Sequence, residues 1–386
     1  MIKKILIASF LCAFTLLSFA QDTSMDSLFD EPIEDIVAPP VSDARQIDHT
    51  RQFTEAAKPV FSGSFSSEGG AGLGWVDFPS FSNPREGLSA NIGAEATTTL
   101  KLDARPDPAF RLYGNTSVDL KPSDGQYTWS AFAIDELFVD YSGIPNAFFR
   151  VGKHTISWGQ GRLFTPGNPM SGSEEGSAFR ASFPTVLSGL SAVALAQNSY
   201  FADPASPSYR EIAFGAIADE VLLGSLVSTA FRYRGAEGFQ GLFSLKRTIL
   251  STDLLCDIVY RKSETSRNFA LLAGFFREWK DFKLYGEYQY EGATPGGRDH
   301  SFGLAAGLNN VFGTTFDVGS QWLHTLQDDS GSLTLGLTWN PWSHIKASVA
   351  VPLTYGKDGS RYILDNEDPS KRRLALILLL ELSGSF

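Results

Sequence analysis

The chain has 386 residues, with 43 acidic against 32 basic side chains, and its formal charge of −11 argues against nucleic acid as a partner. Its 36 Gly, 30 Phe, 12 Tyr and 7 Trp against only 3 Met suit short strands, tight turns and aromatic girdles better than helices. After residue 20 no segment approaches 18 consecutive apolar residues, which excludes a helical membrane span there. The first predicted element is residues 1–20. Lys3 and Lys4 precede an apolar core from Ile5 to Leu17, and Ser18-Phe19-Ala20 ends it with small residues at its first and last positions. This is the pattern of a secretory signal peptide cut after Ala20. Cleavage removes Cys12 and leaves Cys256 as the only cysteine, so an exported chain without an internal disulfide is expected. Cys256 sits among Leu254, Ile258 and Tyr260 and reads as an inert apolar-face residue.

Residues 21–58 carry many acids, Pro32, Pro39 and Pro40, and no sustained period, the composition of an N-terminal arm. Such an arm is either a solvated leader or a periplasmic contact or small plug. From Pro59 to Phe386 the pattern is strand after strand. In residues 89–104, Ile92, Ala94, Ala96, Thr98, Leu100, Leu102 and Ala104 oppose Asn91, Gly93, Glu95, Thr97, Thr99, Lys101 and Asp103. After the RPDP turn, Phe110, Leu112, Gly114, Thr116, Val118 and Leu120 oppose Arg111, Tyr113, Asn115, Ser117 and Asp119. One apolar and one polar face in every strand, over so long a run, predicts an all-β chain. The expected architecture is a transmembrane antiparallel up-and-down β-barrel, since spans of about 9–11 tilted residues suffice to cross a bilayer.

Residues 135–169, DELFVDYSGIPNAFFRVGKHTISWGQGRLFTPGNP, form the most distinctive segment. An acidic strand ends in Asp140-Tyr141, and the next carries Arg150, Gly152 and Lys153 before Trp158-Gly159 and a loop containing Pro166. This unit, with Glu136 at its start, resembles a strand–turn–strand unit of Gram-negative-type outer-membrane porins. The resemblance implies a passive channel for small polar solutes or ions, in an outer membrane whose lipids surround the barrel. Glu136 and Asp140 share one face of their strand, and Arg150 and His154 share one face of the next. If both pairs face the lumen, their opposed signs set up a transverse field, and charges at the narrowest point decide selectivity. Lys153 falls on the other face, toward lipid or an interface. The loop that follows either folds into the lumen as a constriction, with Arg162, Glu174 and Glu175 as candidates, or lies outside. Gly159, Gly161 and Gly167 have no phosphate-loop spacing and read as bends.

Later strands repeat the scheme: Phe282, Leu284, Gly286, Tyr288 and Tyr290 oppose Lys283, Tyr285, Glu287 and Gln289. The chain ends in RLALILLLELSGSF, where Leu374, Leu376, Leu378, Leu380, Leu382, Gly384 and Phe386 make one apolar-or-Gly face. The strand looks like the terminal signal that barrel-assembly machinery recognises, with Phe386 as its mark. Long and short connections alternate back from this end. An even strand number with both ends on one side requires residues 176–183, GSAFRASF, to be a strand of their own. The count is then about 18, or about 16 if residues 209–234 or the first strand are misread.

The histidines at 49, 154, 300, 324 and 344 have no metal-ligand spacing, and no Ser/His/acid arrangement stands out, so neither a metal, a cofactor nor an enzyme is expected. An energy-coupled transporter needs a far longer plug than residues 21–58, and an assembly receptor needs periplasmic repeats. The alternatives to a diffusion channel are a surface-interaction barrel with a closed lumen and a channel for hydrophobic compounds. Acids and lysines on the inferred inward faces weigh against the second.

Overall fold

The computed structural model describes residues 57–76, 85–123, 126–164, 176–197, 209–235, 237–294, 297–363 and 373–385. Residues 1–20, expected as a signal peptide, residues 21–56 of the expected arm, Pro166, Gly167, Glu174, Glu175 and Phe386 lie outside the described residues. Nineteen strand segments follow in chain order. They are β1 (Ala57–Trp75), β2 (Leu88–Asp107), β3 (Phe110–Ser123), β4 (Gln126–Trp129), β5 (Ala133–Ile144), β6 (Ala147–Lys153), β7 (Gly176–Pro184), β8 (Ser188–Gln197), β9 (Ile212–Leu222) and β10 (Ser225–Arg234). The second half holds β11 (Gly238–Ile249), β12 (Thr252–Lys262), β13 (Arg267–Trp279), β14 (Phe282–Thr294), β15 (Gly297–Leu308), β16 (Phe316–Thr325), β17 (Ser330–Trp342), β18 (Ile345–Tyr355) and β19 (Leu374–Ser385).

Every neighbouring pair is antiparallel, and β1 pairs with β19 from Ser64↔Ser385 to Trp75↔Leu374, so the sheet closes on itself and has no free edge along that seam. β4 and β5 both pair with β3 and share one wall position, which makes 18 wall strands. The higher of the two expected counts is the observed one. The strand that parity demanded is β7, hydrogen-bonded to β6 and β8. β1 begins at Ala57, two residues before Pro59.

The two faces of the wall differ as the alternation requires. On β19, Leu378, Leu380 and Leu382 point outward and are 47%, 56% and 47% exposed, whereas Ala375 and Ile377, earlier on the strand and on its other face, are buried inside. Val139, Val151, Phe179, Phe214, Phe231 and Phe243 continue the outward apolar surface around the barrel. Burying one large apolar side chain is worth about 1.5–3 kcal/mol, so a continuous belt of this kind is matched to hydrocarbon. Rings cluster where the belt meets the turn end, with Trp279 stacked on Phe282 at 5.5 Å and Phe316 on Trp339 at 5.9 Å. Cys256 lies on the outward face, half-buried, as expected.

Candidate functional site

The lumen is not empty. After β6 the chain turns inward, and residues 154–164 cross the interior to the far wall. Two carboxylates there receive it. Asp257 on β12 accepts the backbone N–H groups of Gln160 at 2.7 Å and Gly161 at 3.2 Å, and the Ser244 hydroxyl donates to its other oxygen. Glu287 on β14 accepts the N–H groups of Arg162 and Phe164, both at 2.7 Å, and the Tyr285 hydroxyl. Four backbone donors of a loop with no sheet partner are thereby satisfied, which a segment buried inside a protein requires.

Side chains complete the seat. Ile156 and Trp158 pack among Ala178, Val193, Leu195, Ala213, Ile217 and Val259 on β7, β8, β9 and β12. Phe164 joins Leu255, Leu272, Phe276, Tyr285 and Ala305. Trp158 fits because Gly215 stands opposite: a Cβ added there would lie 2.9 Å from Cη2 of the indole and 2.8 Å from the Phe231 carbonyl oxygen. Gly303 makes the same room for Leu163, whose Cδ1 would be 2.7 Å from an added Cβ. Gly159 takes a φ of +96° at the bend. Wall residues beneath the loop, such as Ala213 and Leu272, are wholly buried.

Part of the remaining wall is polar and water-accessible, beside a small buried apolar cluster of Ala350, Ala375 and Ile377. Glu68 on β1 stands in register between Glu95 on β2 and Glu381 on β19, and Lys346 on β18 faces Glu381. Lys121 Nζ lies 3.9 Å from Glu95 Oε2, with the two side chains 49% and 29% exposed. Ser66 and Thr97 line the same recess. Among the described residues the interior is therefore apolar and filled on the side of β7–β15, and it has a polar, half-exposed recess where β1, β2, β3 and β19 bring these charges together.

Toward the turn end of β5 and β6 two of the predicted charges meet. Asp140 is buried at 1% exposure and accepts two bonds from Arg150, Nε to Oδ1 at 2.7 Å and Nη2 to Oδ2 at 3.1 Å. Asp140 and Arg150 are cross-strand partners on β5 and β6, so their charges face each other along one wall and not across the lumen. Arg111 bridges onward, with Nη1 3.7 Å from Asp140 Oδ2 and its other edge bidentate to Asp103 at 3.0 and 2.8 Å. Phe138 lies under the Arg150 guanidinium, 3.8 Å from ring centre to Cζ. Glu136 faces Asn115 two residues up β5. His154 is buried where the loop leaves the wall, its Nδ1 3.0 Å from the Gly152 carbonyl oxygen. Lys153 is on the outward face, donating to the Ile134 carbonyl oxygen at 2.5 Å. Arg162 rides on the inserted loop beside Glu287. Sequence reasoning did not single out Asp257, Glu287, Asp103 and Arg111 as functional. Glu287 and Arg111 stood on recognised polar faces, and Asp257 was the lone acid between inward Leu255 and Val259.

The burial of Asp140 makes a stability prediction. Arg150→Ala leaves a desolvated carboxylate with only the more distant Arg111, and breaking a buried pair in this way costs about 3–5 kcal/mol. The variant should lose its heat-resistant folded form in detergent at a lower temperature than the unmodified protein. Arg150→Lys, which keeps the charge but not the fork, should fall between them.

No protein-family model and no curated protein matches this sequence. Solved structures do match its fold. OccK9 (OpdG) from Pseudomonas aeruginosa superposes with a TM-score of 0.57 at 11% identity, over 84% of this chain and 98% of that one. OpdK from the same organism, solved with vanillate, gives 0.55 at 10% identity over 84% and 99%. A BenF-like porin from Pseudomonas fluorescens Pf-5 gives 0.53 at 8% identity over 84% and 99%. The chain has the closed, 18-stranded barrel fold of these outer-membrane porins.

Proposed function

We propose that this chain is an outer-membrane channel through which small polar solutes or ions diffuse passively, and that it performs no catalysis. The observation that carries the reading is the division of the lumen. Apolar side chains of residues 154–164 fill one side, while the wall bearing Glu68, Glu95, Lys121 and Glu381 stays half-exposed to water. A barrel of 18 strands is wide enough for an aqueous passage, and an inserted loop reduces it to solute size. The outward belt embeds the barrel among outer-membrane lipids. The assembly machinery reads the last strand with Phe386 at its end, after export under a signal peptide cut at Ala20.

Selectivity follows from the same division. In a confined aqueous space screening is weaker than on an open surface, so the row of three glutamates should favour cations. Changing Glu68, Glu95 and Glu381 together to Gln should shift the reversal potential across a salt gradient toward anions. An unchanged reversal potential in the triple variant would place the solute path elsewhere.

The packing of the inserted loop also favours a second reading, a surface-interaction barrel whose lumen is closed. Reconstitution in a planar bilayer separates the two. The channel passes current, and the closed barrel inserts without passing any.

A further inference from the structure

The connection between β18 and β19 plays no part in the division of the lumen, yet its first eight residues are as firmly held as the inserted loop. Within residues 356–363, Ser360 N–H donates to the Lys357 carbonyl at 3.0 Å, Ile363 N–H to the Ser360 carbonyl at 3.0 Å, and Gly359 N–H to the Ile363 carbonyl at 3.1 Å. Ser360 and Ile363 are each only 5% exposed. Arg361 between them is gripped at both ends. Its backbone N–H donates to Asp328 Oδ2, in the β16–β17 connection, at 2.6 Å. Its Nη1 donates to Asp299 Oδ2 at 2.6 Å and approaches Ser301 Oγ at 3.4 Å.

Asp299 is on β15, near the loop end, and its side chain is nearly buried while that of Arg361 is half-exposed. Thr325 Oγ1 and Ser301 Oγ also donate to it. A fully exposed ion pair of this kind would hold little. Here removal of Arg361 leaves a desolvated carboxylate, so the contact is a fastening. Its reach matters as much as its strength. From the end of β18 to β15 the segment passes β17 and β16, roughly 14 Å of wall at the usual strand spacing, and ends on an inward-facing side chain.

We infer that residues 356–363 are a strap along the rim of the lumen from β18 to β15, latched by Arg361 to the inward-facing Asp299, and that this latch sets the largest solute the mouth admits. The inference rests on the channel reading and adds a second narrowing to that of residues 154–164. The Asp328 grip persists in mildly acid solution. Burial pushes its carboxyl up, but bonds from Ser330 and the Arg361 backbone, with the Arg361 charge, outweigh this and hold it below the usual carboxylate range. A lowered carboxyl contributes its stabilisation above its ordinary value and loses it only as pH falls through the lowered one.

The latch is read directly by thiol accessibility. Ser360→Cys, in a chain with Cys256→Ala, should react slowly with a membrane-impermeant maleimide, and adding Asp299→Asn should raise the rate about tenfold, the effect of losing one charge-assisted bond on a local opening equilibrium. In the native-cysteine protein, Asp299→Asn and Arg361→Gln should each raise single-channel conductance and the liposome-swelling rate for larger sugars. The double change should do no more than either alone, since both break one contact. Equal labelling rates with and without Asp299→Asn would overturn the latch. Faster labelling with an unchanged sugar cut-off in a conducting protein would overturn its role in admission. If the unmodified protein passes no current but Asp299→Asn speeds labelling, the latch stands and the channel reading is lost.

Discussion

Asp257→Asn combined with Glu287→Gln should raise the single-channel conductance and make the open state noisier, with the barrel itself intact. Each carboxylate accepts two backbone N–H groups of residues 160–164 and one hydroxyl. An amide of the same shape turns one acceptor atom into a donor: at Glu287, where the two loop N–H groups bond different oxygens, one of them then faces a donor, and at Asp257, where both bond Oδ2, the amide oxygen can keep them but as weaker, uncharged bonds. Bonds to charged groups contribute about 1.5–3 kcal/mol apiece, and breaking one while taking the charge from the others loosens a segment held otherwise by Trp158, Leu163 and Phe164. The barrel does not depend on them, because β12 and β14 keep their own ladders to β11, β13 and β15. Heat-modifiable migration should therefore be unchanged while conductance and the swelling rate for larger sugars increase. Identical conductance in the double variant would mean that residues 154–164 do not limit the passage.

Leu380→Arg should prevent insertion. Leu380 lies midway along β19, 56% exposed on the outward face, with Gly69 of β1 and Ala347 of β18 beside it. A basic side chain at the bilayer midplane of a barrel costs about 2–4 kcal/mol, a large fraction of a marginal folding free energy. The same change at Ser383, three residues on and facing the lumen beside Glu381, should be tolerated. If Leu380→Arg reaches the membrane as well as Ser383→Arg, the outward face of β19 does not meet lipid.

The wall was legible in the sequence because alternation is local. The opposition of Leu380 to Glu381, or of Leu100 to Lys101, needs no knowledge of distant residues, and a one-residue slip would exchange lipid and water for the whole strand. The parity of long and short connections added the one global constraint, and it was enough to recover β7 from the short GSAFRASF run. The break between β4 and β5 was not singled out in the sequence. The inserted loop was open to two readings for a physical reason: its seat is assembled from Asp257 and Glu287, which follow it by 96 to 125 residues, and from the missing side chains of Gly215 and Gly303. No pattern within residues 154–164 encodes those partners. Asp140 and Arg150 were read as charges on adjacent strands, but only the register of β5 against β6 joins them into one pair with its carboxylate buried.

On the channel reading proposed above, a closed, lipid-embedded barrel holds an aqueous passage along one side of its lumen, narrowed by residues 154–164. Single-channel recording of the unmodified protein in a planar bilayer tests it most directly. Discrete, reproducible current steps are expected, and they should grow when Asp257 and Glu287 are neutralised together. A protein that inserts fully, shown by protection of its strands from added protease, and passes no current in either form would contradict it.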